Sequence, residues 1–173
     1  MDYPPRRIRG LVVNHRRVES LGVLCEHVPG ESRGPTLDFS LVEFANLTSG
    51  ERLILHDDRG WSQSGNSYGA QGEGERDPWV SVTVESLVLG IYNTLLPEAV
   101  FEHDNHDWDR LASLLADHEI EVSVDDLRRL GYVVEFGPNL LANLSDTEAQ
   151  KAPLSVDWSQ VEADLEAQNP NRP

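Results

Sequence analysis

The chain has 173 residues and a formal net charge of −16 at pH 7, from 14 Lys+Arg against 30 Asp+Glu. Its length is that of about one ordinary domain, and its 39% hydrophobic content marks a globular chain that folds without disulfide or metal staples. So negative a balance disfavours direct nucleic-acid binding, where phosphate neutralisation dominates affinity, and a lone cysteine excludes an intramolecular disulfide and a zinc–thiolate cluster.

The charge is unevenly placed. Residues 1–60 hold 8 Arg and 9 Asp/Glu, whereas residues 61–173 hold 21 Asp/Glu against 6 Lys+Arg. The N-terminus is basic through Arg6, Arg7, Arg9, Arg16 and Arg17. These arginines are expected to pair with the acidic half rather than with an external anion. No apolar run of signal-peptide length follows them, and no window approaches the roughly 20 apolar residues of a membrane span. A cytoplasmic, bacterial-type location away from any membrane is expected.

The first sixty residues read as β, with three to five antiparallel strands. Ile8–Val13 and Val18–Val28 are apolar runs, and Pro29–Pro35 is punctuated by Gly and Pro. Leu37, Phe39 and Leu41 alternate with Asp38 and Ser40, Asn46–Gly50 supplies turn residues, and Leu53–Leu55 returns, so 37–57 is a predicted hairpin. Cys25 lies in an apolar run and reads as a buried thiol. A nucleophilic role, with His27 two residues on, would need a lowered pKa.

His56-Asp57-Asp58-Arg59-Gly60 follows as a turn closing that strand, since Asp side chains cap their own backbone. Its chemical alternative is an acid–base site in which His56 acts with Asp57 and Asp58 while Arg59 holds an anion. Residues 62–78 contain four glycines and no Val, Ile, Leu, Met or Phe, which predicts a flexible loop bracketed by Trp61 and Trp79. The Gly69–Gly74 stretch lacks the Lys-Ser/Thr of a phosphate cradle, and its acids repel phosphate.

The second half reads as mostly helical. Val84, Leu87, Val88, Ile91, Tyr92, Leu95 and Leu96 form an amphipathic stripe with Thr83 as N-cap and Pro97 as stop, although Val80–Val84 also alternates as a strand would. Trp108, Leu111, Ala112 and Leu115 repeat the spacing behind the cap Asp107. Ser123-Val124-Asp125-Asp126 is a capping box opening a helix through Leu130, and Gly131 ends it. Tyr132–Phe136 is a predicted strand, Pro138–Leu144 a helical turn, Ser155–Gln168 a last helix, and 169–173 a disordered tail. The fold class is α+β: an N-terminal antiparallel β-sheet or hairpins, followed by a mostly helical, acidic C-terminal half packed on it, within a single domain over 1–168.

Two features bear on function. Residues 98–126 hold ten acids against one base, Arg110. Asp107, Asp125 and Asp126 suit helix N-termini, which leaves Glu98, Glu102, Asp104, Asp117, Glu119 and Glu121 as a docking face for a basic protein partner. Trp108 is either an anchor of that face or part of the core. The second feature is Glu102–Asp107, where His103, His106 and Asp107 have metal-ligand chemistry, against the plainer reading of a solvated acidic loop. No cofactor motif is present. The leading reading is a non-enzymatic interaction protein, analogous in charge to immunity proteins and antitoxins that neutralise basic partners. The alternative is a metal-binding protein or hydrolase using His56, Asp57 and Asp58, or His103, His106 and Asp107.

Overall fold

A computed structural model describes residues 16–29, 36–64, 77–95, 107–144 and 153–168. Among these, five strands form one mixed sheet: β1 (Val18–His27), β2 (Thr36–Leu47), β3 (Arg52–Ser64), β4 (Gly131–Phe136) and β5 (Leu154–Val156), in the order β3-β2-β1-β4-β5. Helices α1 (Val84–Leu95), α2 (Trp108–Asp117), α3 (Val124–Arg129), α4 (Pro138–Leu141) and α5 (Trp158–Gln168) complete the α+β fold. No described helix is long and apolar enough to cross a membrane.

The predicted hairpin is β2–β3, turning at Thr48–Gly50 and paired from Asn46↔Arg52 out to Thr36↔Ser64. The sheet is not the antiparallel N-terminal unit expected from the sequence. β4, from the second half, inserts parallel to β1 with Leu21 beside Tyr132 and Val23 beside Val134, and β5 pairs antiparallel to β4. Parallel pairing becomes available because the β2–β3 hairpin and the helices that follow it separate β1 from β4 by a long connection. Two further expectations are corrected in the same region. Residues 154–156 belong to β5, so the last helix starts at Trp158 rather than Ser155. Val80 lies in a 3-10 turn, Pro78–Ser81, capped by Asp77.

One sheet face carries Leu21, Val23, Cys25, Phe39, Leu41 and Leu47, all buried. Against it pack Leu87, Ile91 and Leu95 of α1, Leu111 and Leu115 of α2, and Leu127 of α3, each 1% exposed or less. Each such side chain contributes about 1.5–3 kcal/mol of burial. Trp108 packs partly buried against this core, so it is not a free surface anchor. Trp61 stacks on Phe39 at 4.7 Å and Trp79 meets His27 edge-on at 4.9 Å, which fixes the protein on both sides of residues 65–76, the central part of the predicted loop, which lie outside the described residues.

The helix starts follow their sequence signals. Thr83 and Ser86 cap α1 reciprocally, Ser86 N–H donating to Thr83 Oγ1 at 3.1 Å and Thr83 N–H to Ser86 Oγ at 2.9 Å. Asp107 accepts from Arg110 N–H, and Ser123 from Asp126 N–H, both at 3.1 Å. The end of α2 is less ordinary. Ile120 N–H donates to Leu115 O and Glu119 N–H to Ala116 O, a paired C-terminal motif with Glu119 at φ 62°. Glycine is the usual occupant of that position, and a side chain there costs about 1–2 kcal/mol. Glu119→Gly is therefore expected to raise stability by roughly 0.5–1 kcal/mol, after the entropy glycine adds to the unfolded chain. The midpoint of urea unfolding reads this, and an unchanged or lowered midpoint contradicts it.

Candidate functional site

The polar centre of the fold is Glu43. It lies on β2 in phase with Leu37, Phe39, Leu41, Ala45 and Leu47, and so points into the core, where it is 3% exposed. Burying a carboxyl without partners is costly, and three elements supply them. Arg110 of α2 donates through Nη1 at 3.3 Å, and Tyr132 of β4 reaches across β1 to donate its hydroxyl at 3.4 Å. Arg59 of β3 adds positive potential. Desolvation nevertheless outweighs these cations, so the Glu43 carboxyl is held above the ordinary glutamate range. Burial and the neighbouring carboxylate push the Tyr132 phenol well up in turn.

β3 wraps this centre through two register irregularities, between Leu41/Glu43 and between Glu43/Phe44. Three residue steps on β2 are matched by five on β3, Ile54 to Arg59, and the extra length is a pair of bulges. His56, Asp57, Asp58, Arg59 and Gly60 thus lie inside a strand that runs on to Ser64, and not in a turn that ends it. Within the bulges His56 Nε2 lies 2.6 Å from Asp58 Oδ1. Burial and the facing Arg110 lower the His56 pKa, against the opposing pull of Asp58, which favours the neutral ring. Asp57 and Asp58 are exposed, and Arg59 is tied by Nη1 to the Thr94 carbonyl at 2.9 Å near the end of α1.

Among the described residues, the second His/Asp cluster is represented by Asp107 at the start of α2. Its Arg110 faces His56 and Glu43, while Asp107 is engaged as the helix cap. His103 and His106 lie outside the described residues, and among those described no group of three His, Cys, Asp or Glu is placed to hold a metal ion. Cys25 is fully buried and its thiol is pushed far up by desolvation, which removes it as a nucleophile.

Of the docking residues, Glu98, Glu102 and Asp104 lie outside the described residues. Asp117, Glu119 and Glu121 are exposed on and after the end of α2, and Asp109, Asp125 and Asp126 are exposed nearby in sequence. Only Asp126 of these six pairs with a described base, Arg129, at 3.4 Å on an open surface. Arg16 pairs not with the acidic half but with Glu51, Nη2 meeting both carboxylate oxygens at 3.1 and 2.9 Å. Arg6, Arg7 and Arg9 lie outside the described residues.

Glu43 was not among the residues the sequence singled out, although its signal was present. The apolar alternation of 37, 39 and 41 resumes at 45 and 47, and a glutamate interrupts it at 43. Such an interruption marks a carboxyl that must be paired inside. The chain matches no known protein family, and no characterised protein or solved structure shows significant similarity to it.

Proposed function

We propose that this chain is a non-enzymatic interaction protein of the cytoplasm, which binds a basic protein partner through the acidic surface around α2 and α3. One observation carries the reading. Arg110, the only base between 98 and 126, is turned inward onto Glu43, so it does not neutralise the exposed carboxylates of Asp109, Asp117, Glu119, Glu121 and Asp125. An unneutralised field of that kind accelerates encounter with a basic surface and orients it. Retaining a glutamate at the strained position 119 supports the same reading, because strain tends to persist where function needs the side chain. Neutralisation of a basic toxin in the manner of an immunity protein is the specific role that fits this charge.

Affinity capture from the native cells tests the proposal. A partner of basic composition is expected, released progressively as salt rises, because exposed charges are screened beyond about 8–10 Å at ordinary ionic strength. The variant Asp117→Lys/Glu119→Lys/Glu121→Lys should not retain it. A partner whose binding is indifferent to both salt and charge reversal would overturn the proposal.

A second reading rests on the close approach of His56 to Asp58 beside a buried carboxyl of raised pKa, a pairing suited to acid–base work. Its test is hydrolytic activity lost on His56→Ala.

A further inference from the structure

Glu43 and Arg110 form a loose pair for so buried a site. Arg110 Nη1 lies 3.3 Å from Glu43 Oε2, and Arg110 Nη2 is buried without a hydrogen-bond partner among the described residues. A guanidinium facing a carboxylate squarely makes two bonds of about 2.7–2.9 Å. Arg52 does so with Glu135, at 2.8 and 2.7 Å. The two members of the inner pair also differ in freedom. Glu43 keeps 3% of its side-chain exposure and is fixed by β2, whereas Arg110 keeps 22% and hangs from the first turn of α2.

Several elements face this pair. β1 places Val23 beside Glu43, and β4 brings the Tyr132 hydroxyl to 3.4 Å. β3 brings Arg59, tied to the Thr94 carbonyl of α1, and His56, which lies against Asp58 and near Asp57. α2 itself adds Asp107, its cap. On acidification Glu43 takes up a proton early, because burial disfavours its charged form. The His56 ring, kept neutral by burial and by Arg110, charges later than a free histidine. Both events act on Arg110 in one sense, the first removing its attraction and the second adding repulsion.

We propose that Arg110 is an acid-sensitive switch, held inward while Glu43 is ionised and turned out onto α2 when Glu43 is protonated. A buried cation that loses its carboxylate is costly to keep inside. Outside it regains water and lies beside Asp107, since residues three apart are neighbours on a helix. Its charge then enters the field of the exposed Asp109 and Asp117. The consequence rests on the reading above: a cation in that field opposes a basic partner, so acid releases it.

The test follows the Arg110 Nε–Hε signal of the isotope-labelled full chain, assigned by its loss in Arg110→Lys, as pH falls from about 7.5 toward 4.5. The signal should move on the same curve as the Glu43 carboxyl carbon, with a midpoint above 4.5, while that of Arg52 does not follow this curve. Glu43→Gln should show, already at neutral pH, an Arg110 signal close to the acid position of the wild type. An Arg110 signal that holds still while Glu43 titrates overturns the switch, as does a Glu43→Gln signal at the wild-type neutral position. If Glu43→Gln does not fold, the two wild-type curves decide alone. With a captured basic partner, Glu43→Gln should bind about fivefold more weakly at neutral pH, and equal affinity removes the link to binding. The two proposals fail separately. A moving Arg110 with no basic partner leaves the switch and removes the docking reading, and a salt-sensitive partner on a chain whose Arg110 never moves does the reverse.

Discussion

Replacing Glu43 with Ala is expected to lower stability by about 3 kcal/mol. Removing one member of a buried ion pair generally costs about 3–5 kcal/mol, because the other charge stays behind without its partner. The lower end applies here, since the Arg110 side chain keeps 22% of its exposure and can turn toward water. Arg110 Nη2 is buried without a hydrogen-bond partner among the described residues even with Glu43 present. Glu43→Gln keeps the shape and should cost less, and its value lies in the pH dependence. An unfolded glutamate titrates near 4.5, and folding raises that value by burial. Between the two values the folded chain holds a proton that the unfolded chain has released, so stability falls as pH rises through this window. Wild-type protein should therefore lose stability relative to Glu43→Gln as pH is raised above about 4.5, and regain it on acidification. Urea unfolding across that range decides the matter, and parallel curves for the two proteins would show that Glu43 does not titrate as its burial requires.

Gly60→Ala is expected to cost about 2–3 kcal/mol, at the upper part of the range for forced overpacking. Gly60 pairs with Ser40 in the β2–β3 ladder, and a Cβ at this position would run into the backbone carbonyl of Phe39. Backbone cannot rotate aside as a side-chain tip can, so the two strands must separate locally. That strains Arg59 and Trp61, which join β3 to α1 and to Phe39. Gly131→Ala is the control. It is the same substitution at the first residue of β4, where a Cβ would meet nothing within 4 Å, so its effect should stay within about 0.5 kcal/mol. Equal unfolding midpoints for the two variants would refute the close approach at Gly60.

Gly60 also shows where local reading of the sequence stops. Asp-Asp-Arg-Gly is good turn chemistry, yet the chain stays extended through it, because β2 offers a paired edge out to Thr36 and the bulges absorb the surplus residues. Local turn preference amounts to little beside several ladder hydrogen bonds and the stacking of Trp61 on Phe39. The β5 strand was hidden for a different reason. Its three residues are too short to display a period, and they become a strand only because the free edge of β4 lies beside them.

The sequence by itself determined the elements whose signal is contained within one turn or one strand. The caps at Thr83, Asp107 and Ser123, the alternation of β2, the burial of Cys25 and the core stripe of α1 were all legible, because each depends on residues no more than a few positions apart. The lopsided charge was equally plain. Only the tertiary structure decided where that charge lies. It placed β4 parallel to β1 and so carried the Tyr132 hydroxyl to Glu43, and it packed α2 on β3 and so turned Arg110 inward. Residues 43, 110 and 132 meet through desolvation, which forces a buried carboxyl to find donors wherever the fold can bring them. Arg110 leaves the exposed carboxylates of α2 unpaired because it is turned inward onto Glu43, whereas on α3 Asp126 meets Arg129.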